Sequence, residues 1–174
     1  MRKQRFRSER REERRDREDR NRGLALPRAR GVYALLVEVS EDVELELGRK
    51  RALVPRGLHV YVGSALGPGG LRARISRHLR KEKKEKWHID KLLSRADIVL
   101  AETGERAECS IVEALLDRGF RAPVEGFGSS DCGKCPAHLL KAPDRIAECI
   151  RALIEVFSSI SLEPKIIILE SRKI

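Results

Sequence analysis

Between Gly31 and Ala65 the chain passes through three strand-length segments whose connections are too short to hold a crossover helix. "GVYALLVEV" (31–39) is rich in Val and Leu, and "VELELG" (43–48) alternates cleanly between apolar and polar residues. "LHVYVGSA" (58–65) is entered from the turn "PRG". β-Branched and aromatic residues fit a pleated surface, and parallel neighbours need a crossover of about a dozen residues or more. The three segments therefore predict an antiparallel meander.

Helical periodicity follows. "LRARISRHLRKEKKEK" (71–86) places Leu71, Ile75, His78 and Leu79 on one face, and "WHIDKLLS" continues it or forms a second short helix. "ADIVLAET" predicts a strand. "AECSIVEALLDRGF" predicts an amphipathic helix with Ile111, Ala114 and Leu115 at 3–4 spacing, stopped by Gly119. "APDRIAECIRALIEVF" reads as a last helix capped by Asp144, and "PKIIILES" as a closing strand. The expected fold class is α+β, a small and mainly antiparallel central sheet flanked by helices. The expected organisation is a low-complexity tail over 1–23, a folded domain over 24–142, and a helix-and-strand extension over 143–174 packed on it.

The strand ending at Val62 runs into "GSALGPGG", which has the look of a phosphate-binding loop. GxxxxGK[ST] requires a Lys after its last Gly, and none follows Gly69 or Gly70. GxGxxG requires a third Gly where Arg72 stands. Neither nucleotide loop is present, so the glycines need another purpose.

The chain carries a formal net charge of +10, unevenly placed. Residues 1–30 hold 13 Arg/Lys against 6 Asp/Glu, a net of +7, which leaves +3 for the body. The tail has one aromatic, Phe6, and no apolar face to bury, so a disordered or solvated segment is expected there. A basic chain favours polyanions, nucleic acid above all. No run approaches the roughly 18 apolar residues of a membrane span, and the N-terminus has no apolar signal core. The expectation is no membrane association and a cytoplasmic location.

Gly31-Val32-Tyr33 opens one strand, Tyr61-Val62-Gly63 ends another, and Leu71-x-x-Arg74-x-x-x-His78 opens the helix after the glycine loop. In this order the motifs resemble the GIY-YIG nuclease family, whose two signature tripeptides lie on neighbouring strands and whose catalytic Arg opens the next helix. "WHID", "ECSIVEALL" and "GFGSSDCGKCPAHLL" look like a mainly archaeal branch of that family, sometimes found joined to the DNA-repair enzyme endonuclease III. The resemblance spans residues 27–142. It implies a metal-dependent phosphodiester hydrolase acting on nucleic acid, DNA more than RNA, with a repair protein as a further partner. It also implies site residues: Tyr33 or Tyr61 as base, Arg74 as phosphate clamp, Glu113 as ligand of Mg²⁺ or Mn²⁺, and His78 orienting a Tyr or water.

These residue types suit the chemistry. A phenol can relay a proton from water when a neighbouring cation favours its ionised form. Arg offers a forked, permanently charged donor that matches phosphate, and a carboxylate can hold Mg²⁺ against phosphate oxygens. The chain has only two Tyr, and both fall in the signature tripeptides. The segment 71–86 has eight Arg/Lys and two Glu, so Arg72, Arg77, Arg80, Lys81, Lys83 and Lys84 are the expected phosphate contacts, with the glycines letting backbone approach the strand. Two departures from the family stand out. The gap from Gly31 to Tyr61 is lengthened by a hairpin-like insertion over 40–56. The late Asn of many members is also missing, since Asn21 is the one Asn in the chain, leaving Ser129, Ser130 or Asp131 to take its place.

Four Cys occur, at 109, 132, 135 and 149. Without a secretion signal they read as thiols or metal ligands rather than disulfides. Cys132-x-x-Cys135-x-x-His138 has ligand types and spacing that suit Zn²⁺, with His88 or Cys109 as the fourth ligand. A second reading has His88 and His138 lining the substrate cleft, while Cys149 reads as a small core residue. Beside the nuclease stand two other expectations: a non-catalytic nucleic-acid-binding module on the same scaffold, and a zinc-stabilised interaction domain.

Overall fold

The structure, a computed structural model, describes residues 25–47, 50–80, 89, 92, 96–129 and 132–168. The predicted tail, the phosphate contacts Lys81, Lys83 and Lys84, the ligand candidate His88, and Ser130 and Asp131 lie outside the described residues.

The fold is α+β. Strands β1 (Gly31–Val39), β4 (Gly57–Ala65), β5 (Ala96–Glu102), β6 (Leu139–Lys141) and β7 (Lys165–Ile167) form one sheet in the order β6-β4-β1-β5-β7. Every neighbouring pair in it is antiparallel. β1 takes the centre because its apolar run leaves Glu38 as its one exposed residue, so both faces can be covered. β2 (Val43–Leu47) and β3 (Lys50–Val54) form a separate two-stranded sheet. This corrects the predicted meander. β2 exposes Glu44 and Glu46 while burying Leu45, so it has one apolar side only, and it pairs with the basic β3 in an arm between β1 and β4.

Alternation along the strands divides the core. On the first face, Tyr33, Leu35 and Val37 of β1, Tyr61 of β4 and Leu100 of β5 pack with Leu71 and Ile75 of α1 (Gly70–His78) and with the arm. On the second face, Val32, Ala34, Leu36, Val60 and Val62 pack under α2 (Glu108–Asp117) and α3 (Ile146–Ser159). α3 inserts Cys149, Leu153, Val156 and Phe157, all fully buried, into this second core. Apolar burial at about 1.5–3 kcal/mol for a large side chain outweighs its exposed Arg145–Glu148 ion pair, a kind of contact worth about 0–1 kcal/mol.

The cap of α3 differs from expectation. Arg145 occupies the N-cap position without a side-chain cap, and Asp144 instead pairs with Lys141 Nζ at 3.0 Å. α1 ends at His78, with Leu79 as its C-cap. No helix among the described residues is long and apolar enough to cross a membrane.

Candidate functional site

The β1–β4 register sets Tyr33 opposite Gly63 and Tyr61 opposite Leu35, so both phenols project from the first face. α1 lies over that face and closes on His78. The Tyr33 hydroxyl and His78 Nε2 are 2.9 Å apart in a buried hydrogen bond whose donor is set by the imidazole tautomer. The Tyr61 ring stands nearly edge-on to His78, with centroids 6.0 Å apart and planes at 71°. Tyr33 and His78 are 2% and 1% exposed, and Tyr61 keeps 8%. Arg74 lies one turn before His78, a spacing that sets the two on the same side of the helix, and it is half-buried. Arg72, Arg77 and Arg80 are also half-buried. Thus Tyr33, Tyr61 and His78 meet, with Arg74 on the same helix.

The glycines answer the question raised by the loop. A side chain at Gly63 would bring its Cβ within 2.5 Å of the Tyr33 hydroxyl, so Gly63 exists to let that ring lie across β4. Gly70 opens α1 at φ +55°, and a Cβ there would strike the carbonyls of Arg28 and Ala29. Those approaches are close because the segment before β1 satisfies the start of the helix. Leu71 N–H donates to Ala29 O at 2.9 Å, and Arg72 N–H donates to Pro27 O at 2.9 Å. A helix start normally offers such amides to an anion. Here the first turn is already paired within the chain, so these amides are not on offer to an anion.

Glu113 does not join this cluster. α2 covers the second face of the sheet and directs Ile111, Val112 and Leu115 inward, leaving Glu113 exposed on its outward side. No group of three or more metal-ligating side chains among the described residues includes it. The carboxylate with an unusual environment is Glu108, in the first turn of the same helix. It is 8% exposed, its Oε1 accepts from the Ser64 hydroxyl at 3.1 Å, and its Oε2 is buried without a partner. A signal for it was present in the sequence, because position 108 shares the apolar strip of 111, 112 and 115.

A second constellation forms at the sheet edge. Cys109 in the first turn of α2, Cys132 and Cys135 in a turn, and His138 just before β6 bring their ligand atoms within 4.8 Å of one another. Cys109 is therefore the fourth member among the described residues. Cys109 Sγ and Cys132 Sγ are 3.1 Å apart as free thiols, and Cys135 N–H donates to Cys132 Sγ at 3.3 Å. The Cys109 contact, helped by the backbone amides of Lys134 and Cys135, pulls Cys132 down to about 6, toward thiolate. Burial pushes Cys109 and Cys135 the other way. His138 is buried, and its Nε2 has no hydrogen-bond partner. Three sulfurs and an imidazole make a donor set that could hold a metal such as zinc. It is a poor match for Mg²⁺ or Mn²⁺, which prefer oxygen. Cys149 stands apart, buried under α3 with its thiol donating to Pro143 O at 3.1 Å.

The profile of the family described as "Domain of unknown function DUF123" matches residues 32–159, from β1 through the end of α3. The chain belongs to the DUF123 family. The matched span includes both tyrosines, Arg74, His78, Glu108 and all four members of the cysteine–histidine cluster. No curated protein and no solved structure matches the chain.

Proposed function

We propose that this DUF123 protein is a nuclease of GIY-YIG type that hydrolyses phosphodiester bonds in nucleic acid, with DNA as the favoured substrate and a repair protein as a natural partner. The observation that carries the reading is the meeting of Tyr33, Tyr61 and His78, from two strands and a helix, beside a helix lined with arginines. Tyr33 is sealed and its hydroxyl is hydrogen-bonded to His78, so it positions the imidazole. Tyr61 keeps the greater exposure of the two and serves as the proton relay for the attacking water. Arg74 clamps the phosphate charge, and Arg72, Arg77 and Arg80 hold the flanking backbone. A groove of about 490 Å³ opens between the β2–β3 arm and residues 123–126. Its lining sets Lys50 and Arg51 together with Glu125.

Glu113 does not fit the role of Mg²⁺ or Mn²⁺ ligand, because it faces outward on the far side of the sheet. Glu108 rides on the same helix over that same face, bonded to Ser64, so it brings no carboxylate to the tyrosines either, and the described residues gather no oxygen-rich group of three or more ligands for such an ion.

The test is cleavage of branched, flap and damaged duplexes with Mg²⁺ or Mn²⁺ present. Tyr61→Phe and Arg74→Ala should each slow cleavage by about 100-fold or more while leaving the circular dichroism spectrum intact. The near-complete burial of Tyr33 and His78 favours a second reading, a binding module without turnover on the same scaffold. Salt-sensitive binding with no cut on any substrate would decide for it.

A further inference from the structure

The four ligands of the cysteine–histidine cluster come from segments that no single secondary element joins. Cys109 rides on α2 above the second face, Cys132 and Cys135 belong to an irregular turn, and His138 precedes the edge strand β6. We propose that the chain carries one tightly bound Zn²⁺ on Cys109, Cys132, Cys135 and His138, and that this ion positions Tyr61 instead of reacting with substrate.

The donor set decides the ion's character. A catalytic zinc keeps one position open for water, whereas Cys₃His fills all four tetrahedral positions with protein. Zinc binding turns three thiols into thiolates and releases their protons to solvent. The buried Nε2 of His138 gives independent support. A buried polar atom without a partner costs about 1–3 kcal/mol, and one nitrogen of the same ring lies within 4.8 Å of the three sulfurs.

The path to Tyr61 is short. His138 O accepts from Val62 N–H at 2.9 Å, and His138 N–H donates to Phe127 O at 2.8 Å. Gly126 N–H donates to Pro136 O at 2.7 Å, so the metal-bearing turn is tied to residues 126–128. Gly128, at φ +72°, is pressed against Tyr61. A Cβ there would lie 2.8 Å from Tyr61 Cε2 and 3.5 Å from its hydroxyl, and 3.4 Å from the His138 Cβ. One loop thus carries the ligands on one side and forms the wall of the Tyr61 ring on the other. Without the ion, Cys132, Cys135 and His138 lose the tie to Cys109 on α2, and the wall that Gly128 forms behind Tyr61 loosens. The consequence for chemistry rests on the reading of Tyr61 as proton relay; zinc occupancy does not.

The experiment uses the full chain purified without chelator. Elemental analysis should give one zinc per chain, and Co²⁺ exchanged for zinc should show an intense thiolate-to-metal absorption band in the near ultraviolet. Amide exchange is then compared before and after metal removal. Val62, Gly126 and His138 should exchange at least about tenfold faster, while Ala34 and Val99 in the centre of the sheet stay protected. Should chelated protein unfold altogether, His138→Cys replaces the comparison: it preserves four ligands and should retain both the zinc and the Val62 protection, whereas His138→Phe should lose both. Substoichiometric zinc with no cobalt band overturns the site. Zinc that leaves without changing Val62 exchange, or His138→Phe protein with Val62 still protected, overturns the positioning role. A zinc-loaded chain with the expected exchange pattern that cuts nothing leaves this inference standing and removes only the nuclease reading.

Discussion

The tyrosine–histidine cluster and the cysteine–histidine cluster occupy neighbouring parts of one sheet, yet they are assembled by opposite means. Tyr33 and Tyr61 are fixed by the β1–β4 ladder, and His78 by a helix that buries Leu71 and Ile75. Every member stands on a regular element whose apolar face is already buried. Cys132, Cys135 and His138 instead sit in a stretch where regular structure is limited to the three residues of β6. Hydrogen-bonded register and packing can place a phenol beside an imidazole unaided. Three thiols and an imidazole gathered from a helix and a loop call for something in their midst.

Removing metal from the intact protein should give the largest effect. Structural zinc contributes on the order of 10 kcal/mol in small domains, so the melting temperature should fall by about 10 °C or more. An unchanged melt would erase the contrast between the clusters. Gly63→Ala should come next, at about 3 kcal/mol, because the new Cβ meets the Tyr33 ring and a packed core yields little. Urea denaturation would measure it, and a neutral result would mean that the ring can move aside. Tyr33→Phe should cost about 1–2 kcal/mol, the loss of its buried hydrogen bond with His78 Nε2. The same titration reads it; a larger loss would show that the hydroxyl does more than hold the imidazole. The smallest effect belongs to Glu113→Gln, within about 0.5 kcal/mol in stability and with no change in any cleavage rate. A hundredfold fall in cleavage would restore Glu113 to the site and break the division of the sheet into two faces.

Much of this architecture was legible because strands announce themselves by alternation. The two tyrosine tripeptides, the helix beginning near Leu71 and the helix around Ile111 follow from apolar spacing. What escaped depended on partners distant in sequence. β3 is too basic to read as a strand alone, and β6 is three residues long. β2 looked like a member of the central sheet because alternation reports one buried side without saying whose. Which of Glu108 and Glu113 is buried was hidden for a related reason. Both lie on one helix, and only the sheet beneath tells which carboxylate turns inward. Cys109 stood among the candidate fourth ligands from the outset, but 23 residues separate it from Cys132, and folding alone brings them together.

The pairing of the first turn of α1 with Pro27 and Ala29 has a wider consequence. A main-chain cradle recognises the shape of one anionic group and tolerates salt. With that means spent internally, the nucleic-acid binding proposed above would fall to guanidinium groups on long, pliable stems. Such attraction would weaken steeply with ionic strength and say little about base order, leaving selectivity to the bends and junctions that a substrate presents.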